Sequence, residues 1–191
     1  MFSPVRAYLP IEVVHSTEKR VIKNNTLVDP WPVTNYDAVR TRFKNERQQW
    51  EESNHFRKLR SILASTTILS NVKKIIAFSC STMTWSDNEL MPSMAQHALI
   101  LLLRDLLVVN GNNEIKCFAQ DPIYTDIDEQ ILYEFGITVL DDPRAFLEVD
   151  SSSIVVSISP DIPIRQIVAD IARPALIIWD RVQHDQYDFP G

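Results

Sequence analysis

Short apolar runs of β type alternate with helix-type stretches from residue 74 to residue 180, and this alternation limits the fold more than any other feature. Five runs predict strands, at residues 74–78, 115–119, 137–140, 154–157 and 175–179. Strands that are joined by helices pair in parallel, through right-handed connections. The pattern therefore predicts an α/β fold, a three-layer Rossmann-like sandwich with a five-stranded, mostly parallel sheet in the order 3-2-1-4-5.

Helices are predicted between these strands, at residues 92–109, 126–135, 143–148 and 163–172. The first of them is apolar on almost every face, which is typical of a helix buried inside a layered fold. Gly136 follows the second, at a position where glycine commonly ends a helix.

Residues 1–72 depart from this regular pattern and are interpreted as an N-terminal extension, with residues 73–191 as the Rossmann-like domain. Prolines interrupt the first 34 residues, and apolar pairs there favour a short hairpin or edge strands at Val13, Val14, Val21 and Ile22. Two amphipathic helices follow, near residues 36–50 and 54–65. We expect both helices to pack against the sheet domain.

Charge is divided unevenly along the chain. Residues 1–74 carry 13 lysines and arginines against 7 acidic residues, whereas residues 75–191 carry 6 against 18. The basic part is therefore suited to cover the acidic part, or to recruit a protein partner. Glutamates interrupt the basic set, so a solvated helix face explains it as well as a nucleic-acid surface does, and we do not expect nucleic-acid binding.

Three features bear on the compartment. The N-terminus lacks the basic, apolar and small-residue regions of a signal peptide. The longest apolar stretch, residues 98–109, is interrupted by Arg104 and Asp105 and is too short to cross a bilayer. The two cysteines, Cys80 and Cys117, have no zinc-binding spacing and suit a reducing compartment. We expect a soluble protein that does not enter membranes, located in the cytoplasm, with the nucleus as an additional location.

Polar residues follow four of the predicted strands, at the ends that meet along one edge of a parallel sheet. Ligands bind at this edge in open α/β sheets, beside the point where the strand order reverses. The residue pattern alone predicts a ligand site that includes Ser79, Ser81, Thr82, Asp121, Asp141 and Ser159.

Asp121 follows the second predicted strand, where an acidic residue usually binds ribose hydroxyls in such folds. The alternative is that Asp121, which precedes a proline, only opens a turn. The whole chain has three glycines, so the glycine-rich loop that lets a backbone approach a pyrophosphate is absent. A nucleoside-type ligand without phosphate, such as S-adenosylmethionine, remains compatible with the site.

Other chemistry has weaker support. Cys80 and His97 have the residue types of a nucleophile and its base, but nothing in the sequence fixes their geometry, and a structural role is favoured. Asp121, Asp126, Asp128 and Asp141 would suit Mg²⁺. Asp126 and Asp128 are already explained as acidic residues at the N-terminus of the second predicted helix. We therefore predict no catalytic residue and no metal ligand.

Several segments resemble the SRR1-like domain family, over about residues 73–181. They are residues 76–81, the helix Gln96–Asp105, the block Asp121-Pro122-Ile123-Tyr124-Thr125, and residues 136–140. The resemblance implies a Rossmann-like fold and a regulatory role without a settled reaction, in a family named after plant proteins of light signalling and circadian regulation. It adds Gln96 and Tyr124 to the predicted ligand site.

The segment Asp141-Asp142-Pro143-Arg144 is similar to the fungal branch of that family. Two departures from the plant-like pattern fall at the ligand edge. The first loop lacks its glycines, and a Pro-His-Cys motif after the fourth strand is replaced by Ile158-Ser159-Pro160.

Three functional hypotheses follow. The leading one is a regulatory protein that binds a small molecule or a partner in the cleft at the strand ends. The second is an adenosyl-cofactor-dependent, methyltransferase-like enzyme with Asp121 on the ribose. The third is an interaction module whose basic N-terminal helices recruit a partner through Arg40, Arg42 and Arg47.

Overall fold

The computed structural model describes residues 21–23, 26–28, 35–64, 66–84, 93–111 and 114–180. The chain forms two compact units, residues 1–32 and residues 33–191. In the first unit, strands β1 (Val21–Lys23) and β2 (Thr26–Val28) pair in antiparallel fashion. The predicted hairpin is therefore present at Val21 and Ile22, while Val13 and Val14 lie outside the described residues.

The second unit is built on a five-stranded sheet in which every pairing is parallel. Its strands are β3 (Lys74–Phe78), β4 (Lys116–Gln120), β5 (Ile137–Val139), β6 (Ser153–Val156) and β7 (Leu176–Ile178). Their order is β5-β4-β3-β6-β7, which confirms both the α/β class and the predicted strand order.

Six helices accompany this sheet in the described part of the unit. They are α1 (Tyr36–Glu52), α2 (Asn54–Ala64), α3 (Ser93–Val109), α4 (Asp126–Glu134), α5 (Arg144–Leu147) and α6 (Ile164–Ile171). A 3-10 helix, Thr67–Asn71, leads into β3. Because α3 follows β3 and returns to start a parallel strand, its first turn lies at the carboxyl edge of the sheet.

The two faces of the sheet carry separate apolar cores, because side chains alternate along each strand. Ile75 and Ala77 face one cluster, which includes Phe43 of α1 and Ile131 of α4. On the other face, Ile76 and Phe78 pack with residues of α5 and α6, among them Phe146, Ile164 and Val168. Helices therefore cover both faces, and the predicted three-layer arrangement is confirmed.

Helix α1 packs on α3 and α4, as expected for the N-terminal helices. Phe43 is fully buried, and its ring meets that of Phe135 edge to face, with 5.0 Å between the ring centres. The Arg40 Nε atom donates to both Glu134 oxygens at 2.6 and 2.9 Å, and the Tyr36 hydroxyl donates to Glu134 at 2.7 Å. These contacts make α1 part of the folded unit, while a domain boundary at residue 72 stays a prediction.

The arginines proposed to recruit a partner are engaged within the chain. Besides the Arg40–Glu134 pair, Arg47 contacts Asp105 of α3 at 2.6 Å, and Arg42 donates to the backbone carbonyl of Met83 at 3.1 Å. Reversing these charges would therefore disturb the packing of α1 as well as any partner surface. Among the described residues, no helix has the length and apolar character needed to cross a membrane.

Replacing Phe43 by alanine should lower the free energy of unfolding by about 3–5 kcal/mol, because it leaves a cavity between α1 and the sheet layer. Tyr133→Ala is the matched control, since Tyr133 is an aromatic residue of α4 that is 81% exposed. Urea unfolding of both variants measures the difference. Equal stabilities would contradict the inclusion of α1 in the cooperative fold.

Candidate functional site

Three serines at the carboxyl edge have left-handed backbone conformations. Ser79 and Ser81, which follow β3, have φ values of 56° and 64°, and Ser159, which follows β6, has a φ of 51°. A residue with a Cβ atom is destabilised there by about 1–2 kcal/mol, and glycine is the usual occupant. Since β3 and β6 are neighbours at the reversal of strand order, the strained residues flank the edge where a ligand was predicted.

Asp121 stabilises the strained loop from the neighbouring strand end. Its Oδ2 atom accepts a hydrogen bond from the Ser81 backbone N–H at 2.8 Å, and its Oδ1 accepts from the Ile123 N–H at 3.1 Å. The side chain thus joins the loop after β3 to the turn after β4. This matches the turn interpretation that the sequence left open, while ribose binding by the same carboxylate stays a prediction.

Asp128 makes a second link from α4 to the same loop. Its carboxylate is fully buried and accepts hydrogen bonds from the Thr82 hydroxyl at 2.6 Å and the Met83 N–H at 2.8 Å. It also accepts from the Thr125 N–H and hydroxyl, both at 2.8 Å, which closes a capping box at the start of α4. Thr82 is 2% exposed, so its hydroxyl serves this network.

The role of Asp128 was missed by sequence reasoning, which considered it as a candidate Mg²⁺ ligand and preferred to explain it as an acidic residue near a helix start. The spacing Thr125-x-x-Asp128 is a capping-box signal and was available in the sequence. Its contact with Thr82 joins residues 46 positions apart, and no local pattern predicts that contact.

A chain of buried hydrogen bonds connects α3 to the loop and to the turn after β4. The Ser93 hydroxyl donates to the Ser81 carbonyl at 2.8 Å. His97 Nδ1 lies 2.8 Å from the Ser93 carbonyl, which only accepts, so this nitrogen carries the proton. His97 Nε2 then accepts from the Tyr124 hydroxyl at 2.8 Å. Tyr124, predicted as a ligand contact, therefore orients a neutral histidine.

Burial shifts the pKa values of the groups in this network toward their neutral forms. It lowers the pKa of His97 to about 4 and raises the pKa of Tyr124 well above its usual value. The same effect raises the pKa of the Cys80 thiol, and of the Cys117 thiol, to about 12. The raised pKa favours the neutral thiol of Cys80, whereas a nucleophilic cysteine requires a thiolate. A structural role for Cys80 and His97 therefore stays the favoured prediction.

Two buried polar atoms of the described chain have no hydrogen-bond partner there, Oε1 of Gln96 and Oγ of Ser157. Gln96 is 5% exposed and lies in the first turn of α3, while Ser157 is fully buried and follows β6. Both therefore lie at the carboxyl edge of the sheet. Buried polar groups are normally paired, so each unpaired atom calls for a specific explanation, such as a bound molecule.

Gln120 provides a contrast to Gln96. It is 7% exposed and ends β4, and its amide is fully used. Oε1 accepts from the Ala145 N–H at 2.9 Å, and Nε2 donates to Asp142 at 2.8 Å. Gln120 therefore holds the start of α5 against the sheet.

The remaining predicted residues lie farther along the same edge. Ser159 is exposed, and its backbone N–H and hydroxyl both donate to Asp180, the hydroxyl at 3.2 Å. Asp141 is exposed and follows β5, two strands away from β3. The structure thus brings Ser79, Ser81, Thr82, Asp121, Tyr124 and Gln96 around one loop, with Ser159 on the adjacent strand end and Asp141 apart from them.

Acidic side chains follow three of the five strands, Asp121 after β4, Asp141 and Asp142 after β5, and Asp180 after β7, and each of them is exposed or half-buried. In the part of the chain that the structure describes, no three histidine, cysteine or acidic side chains group as metal ligands would. The arrangement is suited to accept hydrogen bonds and positive charge from a ligand.

Comparison with known proteins gives one match. A family model described as the SRR1 domain matches residues 59–189, which is more than half of the chain and includes the whole parallel sheet. No curated protein and no solved structure matches the chain at a significant level.

Stability should fall with decreasing pH because of His97. Its pKa in the folded chain, about 4, lies below the ordinary value of 6.5, so the unfolded chain binds the proton first as the pH decreases. From pH 7 to pH 5 this lowers the free energy of unfolding by about 2 kcal/mol. Urea unfolding should show that His97→Gln loses this decrease, and equal decreases in His97→Gln and in the control His55→Gln, an exposed histidine of α2, would contradict the assignment.

Replacement by methionine should affect the free energy of unfolding differently at Gln96 and at Gln120. Gln96→Met removes an unpaired buried oxygen and should leave the free energy of unfolding unchanged or raise it by about 1 kcal/mol. Gln120→Met leaves the Ala145 N–H unpaired and should lower it by about 1–3 kcal/mol. Denaturant unfolding of the ligand-free variants measures both, and a loss of stability in Gln96→Met would assign Gln96 a structural role.

Proposed function

We propose that this chain, which belongs to the SRR1 domain family, is a regulatory protein that binds a small ligand at the carboxyl edge of its sheet. Membership of the family indicates a regulatory role in general. The ligand site extends from the loop after β3 to the loop after β6.

The observation that carries this proposal is the left-handed conformation of Ser79, Ser81 and Ser159. Strained backbone persists only where the surroundings enforce it, and such residues concentrate at ligand and active sites. Here two of the three lie in a loop that Asp121 and Asp128 hold by hydrogen bonds, and all three flank the reversal of strand order. The strain is thus maintained at the location where open α/β sheets bind ligands.

The unpaired atoms define what the ligand must supply. Gln96 Oε1 requires a donor, and the Ser157 hydroxyl can donate or accept. Gln96 lies in the first turn of α3 and Ser157 directly follows β6, so both groups lie at the carboxyl edge. A ligand with hydroxyl or amino groups would satisfy them, and an apolar ligand would not.

Charge excludes phosphate-rich ligands. Carboxylates follow three of the strands, β4, β5 and β7, and the loop after β3 lacks glycines for close approach to a pyrophosphate. An uncharged or cationic nucleoside-type molecule fits, with S-adenosylmethionine as the leading example because its sulfonium is positive. In this proposal Asp121 uses its remaining lone pairs on the ribose, and Ser79, Ser81 and Ser159 contact the ligand.

The regulatory interpretation is preferred over an adenosyl-dependent transferase because the SRR1 domain family indicates a regulatory role in general and because the loop after β3 lacks glycines. We also propose membership of the fungal branch, from the segment Asp141-Asp142-Pro143-Arg144, and action in the cytoplasm with the nucleus as a second location.

A thermal-shift series with S-adenosylmethionine, S-adenosylhomocysteine, adenosine, ATP and NAD tests the site. A bound ligand at about 100 times its Kd stabilises the folded state by about 2.7 kcal/mol, which raises Tm by several degrees. We expect a shift with an adenosyl compound and none with ATP or NAD.

Two variants localise the binding. Gln96→Met should abolish the shift without lowering the Tm of the ligand-free protein. The control is Ser151→Ala, a serine in the turn before β6 at the opposite edge of the sheet, which should keep the shift. No shift with any adenosyl compound, or an equal shift in Gln96→Met, would contradict the proposed ligand site.

A further inference from the structure

A concave pocket lies where three helices meet, away from the carboxyl edge. It is half open, has a volume of about 140 Å³, and lies between the end of α1, the first two turns of α2 and the second half of α3. Since α3 begins at the carboxyl edge and runs back along the sheet, this part of α3 lies toward the amino edge. The lining residues are Glu51, Phe56, Arg60, Leu102, Asp105, Leu106 and Val109.

The floor of this pocket is apolar and largely buried. Phe56 of α2 is 7% exposed, and Leu102 of α3 is 3% exposed. Leu106 continues the floor, and Val109, which is 80% exposed, forms the rim. An apolar cavity of about 150 Å³ is large enough for a benzene-sized group. The floor therefore has room for one branched aliphatic or single-ring side chain.

Two opposite charges border the same floor without pairing. Glu51 at the end of α1 and Arg60 of α2 both line the pocket, and neither forms an ion pair or a side-chain hydrogen bond with any described residue. Their charged groups are thus more than 4.0 Å apart, the limit for an ion pair. This leaves an anion and a cation facing an apolar recess.

Asp105, the third charged residue of the pocket, is already neutralised. Its carboxylate contacts Arg47 at 2.6 Å and the Nε atom of Arg104 at 3.1 Å. The charges left for a ligand are therefore one carboxylate and one guanidinium, on helices that are fixed by the core beneath them.

We propose that this pocket binds an apolar α-amino acid. Its side chain occupies the floor formed by Phe56, Leu102 and Leu106, its carboxylate pairs with Arg60, and its ammonium pairs with Glu51. A guanidinium fork suits a carboxylate, and a carboxylate suits an ammonium. A hydrocarbon would leave both charges unused, and a ligand of single charge would satisfy one of them and repel the other.

The size and openness of the pocket set its selectivity. Leucine, isoleucine or phenylalanine fill a recess of this volume, whereas glycine leaves it empty and tryptophan exceeds it. The charged groups are exposed to water, which weakens each ion pair. We therefore expect affinity in the millimolar range, as is usual for ligands of this few atoms. The site is independent of the carboxyl-edge ligand site.

NMR of methyl-labelled protein tests the proposal with four probes. L-Leucine should shift the methyl resonances of Leu102 and Leu106 in a saturable manner. Isoamylamine lacks the carboxylate, and 4-methylpentanoate lacks the ammonium. Each should have a Kd at least about threefold higher than that of L-leucine. Glycine should cause no saturable shift.

Charge variants with neighbouring controls complete the test. Arg60→Gln and Glu51→Gln should each raise the Kd for L-leucine about threefold or more. The controls are Lys58→Gln and Glu52→Gln, which remove charges within two positions of Arg60 and Glu51 but outside the pocket. Both should leave the Kd for L-leucine unchanged. Gln96→Met should also bind L-leucine normally, which separates this site from the carboxyl edge. Absence of a saturable shift up to about 50 mM L-leucine, well above a millimolar Kd, overturns the proposal. Equal Kd values for L-leucine, isoamylamine and 4-methylpentanoate also overturn it.

Discussion

The buried carboxylate of Asp128 makes the contacts on which the carboxyl edge of the sheet depends. It receives hydrogen bonds from the Thr82 hydroxyl and the Met83 N–H in the loop after β3, and from Thr125 at the start of α4. A fully buried charge is tolerated only when hydrogen bonds replace its hydration, and here four donors do so. The carboxylate thereby fixes the loop to the helix layer. Ser79 and Ser81 of that loop depend on such contacts, because serine does not intrinsically favour a left-handed backbone conformation.

Most polar groups at the carboxyl edge are already hydrogen-bonded within the chain. Asp121 holds Ser81, while Tyr124 orients His97, whose partner Ser93 holds the Ser81 carbonyl. In the described residues, the buried side-chain atoms that this network leaves without a partner are the oxygen of Gln96 and the hydroxyl of Ser157. The polar residues of one edge therefore divide into those that hold the loop after β3 and those whose hydrogen-bonding capacity is unused.

The regular alternation of strands and helices was sufficient to predict the class, the strand order and most element positions, because both follow from local periodicity and from the handedness of crossovers. The polar strand ends were predicted in position, but the hydrogen-bond partners of their side chains were not. Thr82 is bonded to Asp128, a residue remote in sequence, while its contact with a ligand stays a prediction. Similarly, Arg40, Arg42 and Arg47 were interpreted as a partner surface, whereas each is bonded within the chain. Side-chain partners across such separations leave no local pattern.

The sequence by itself determined the parallel sheet, the buried helix α3 and the polar strand ends, since each depends on the order of apolar and polar residues along the chain. The tertiary structure decided which of those polar residues are satisfied. Gln96 and Gln120 look alike in sequence and are almost equally buried, yet only Gln120 meets a backbone N–H and a carboxylate from another element. The position of Glu51 and Arg60, unpaired at the border of an apolar pocket, likewise arises from the packing of three helices. The physical reason is that burial sets the need for a partner, and only the folded chain determines whether a partner is within hydrogen-bonding distance.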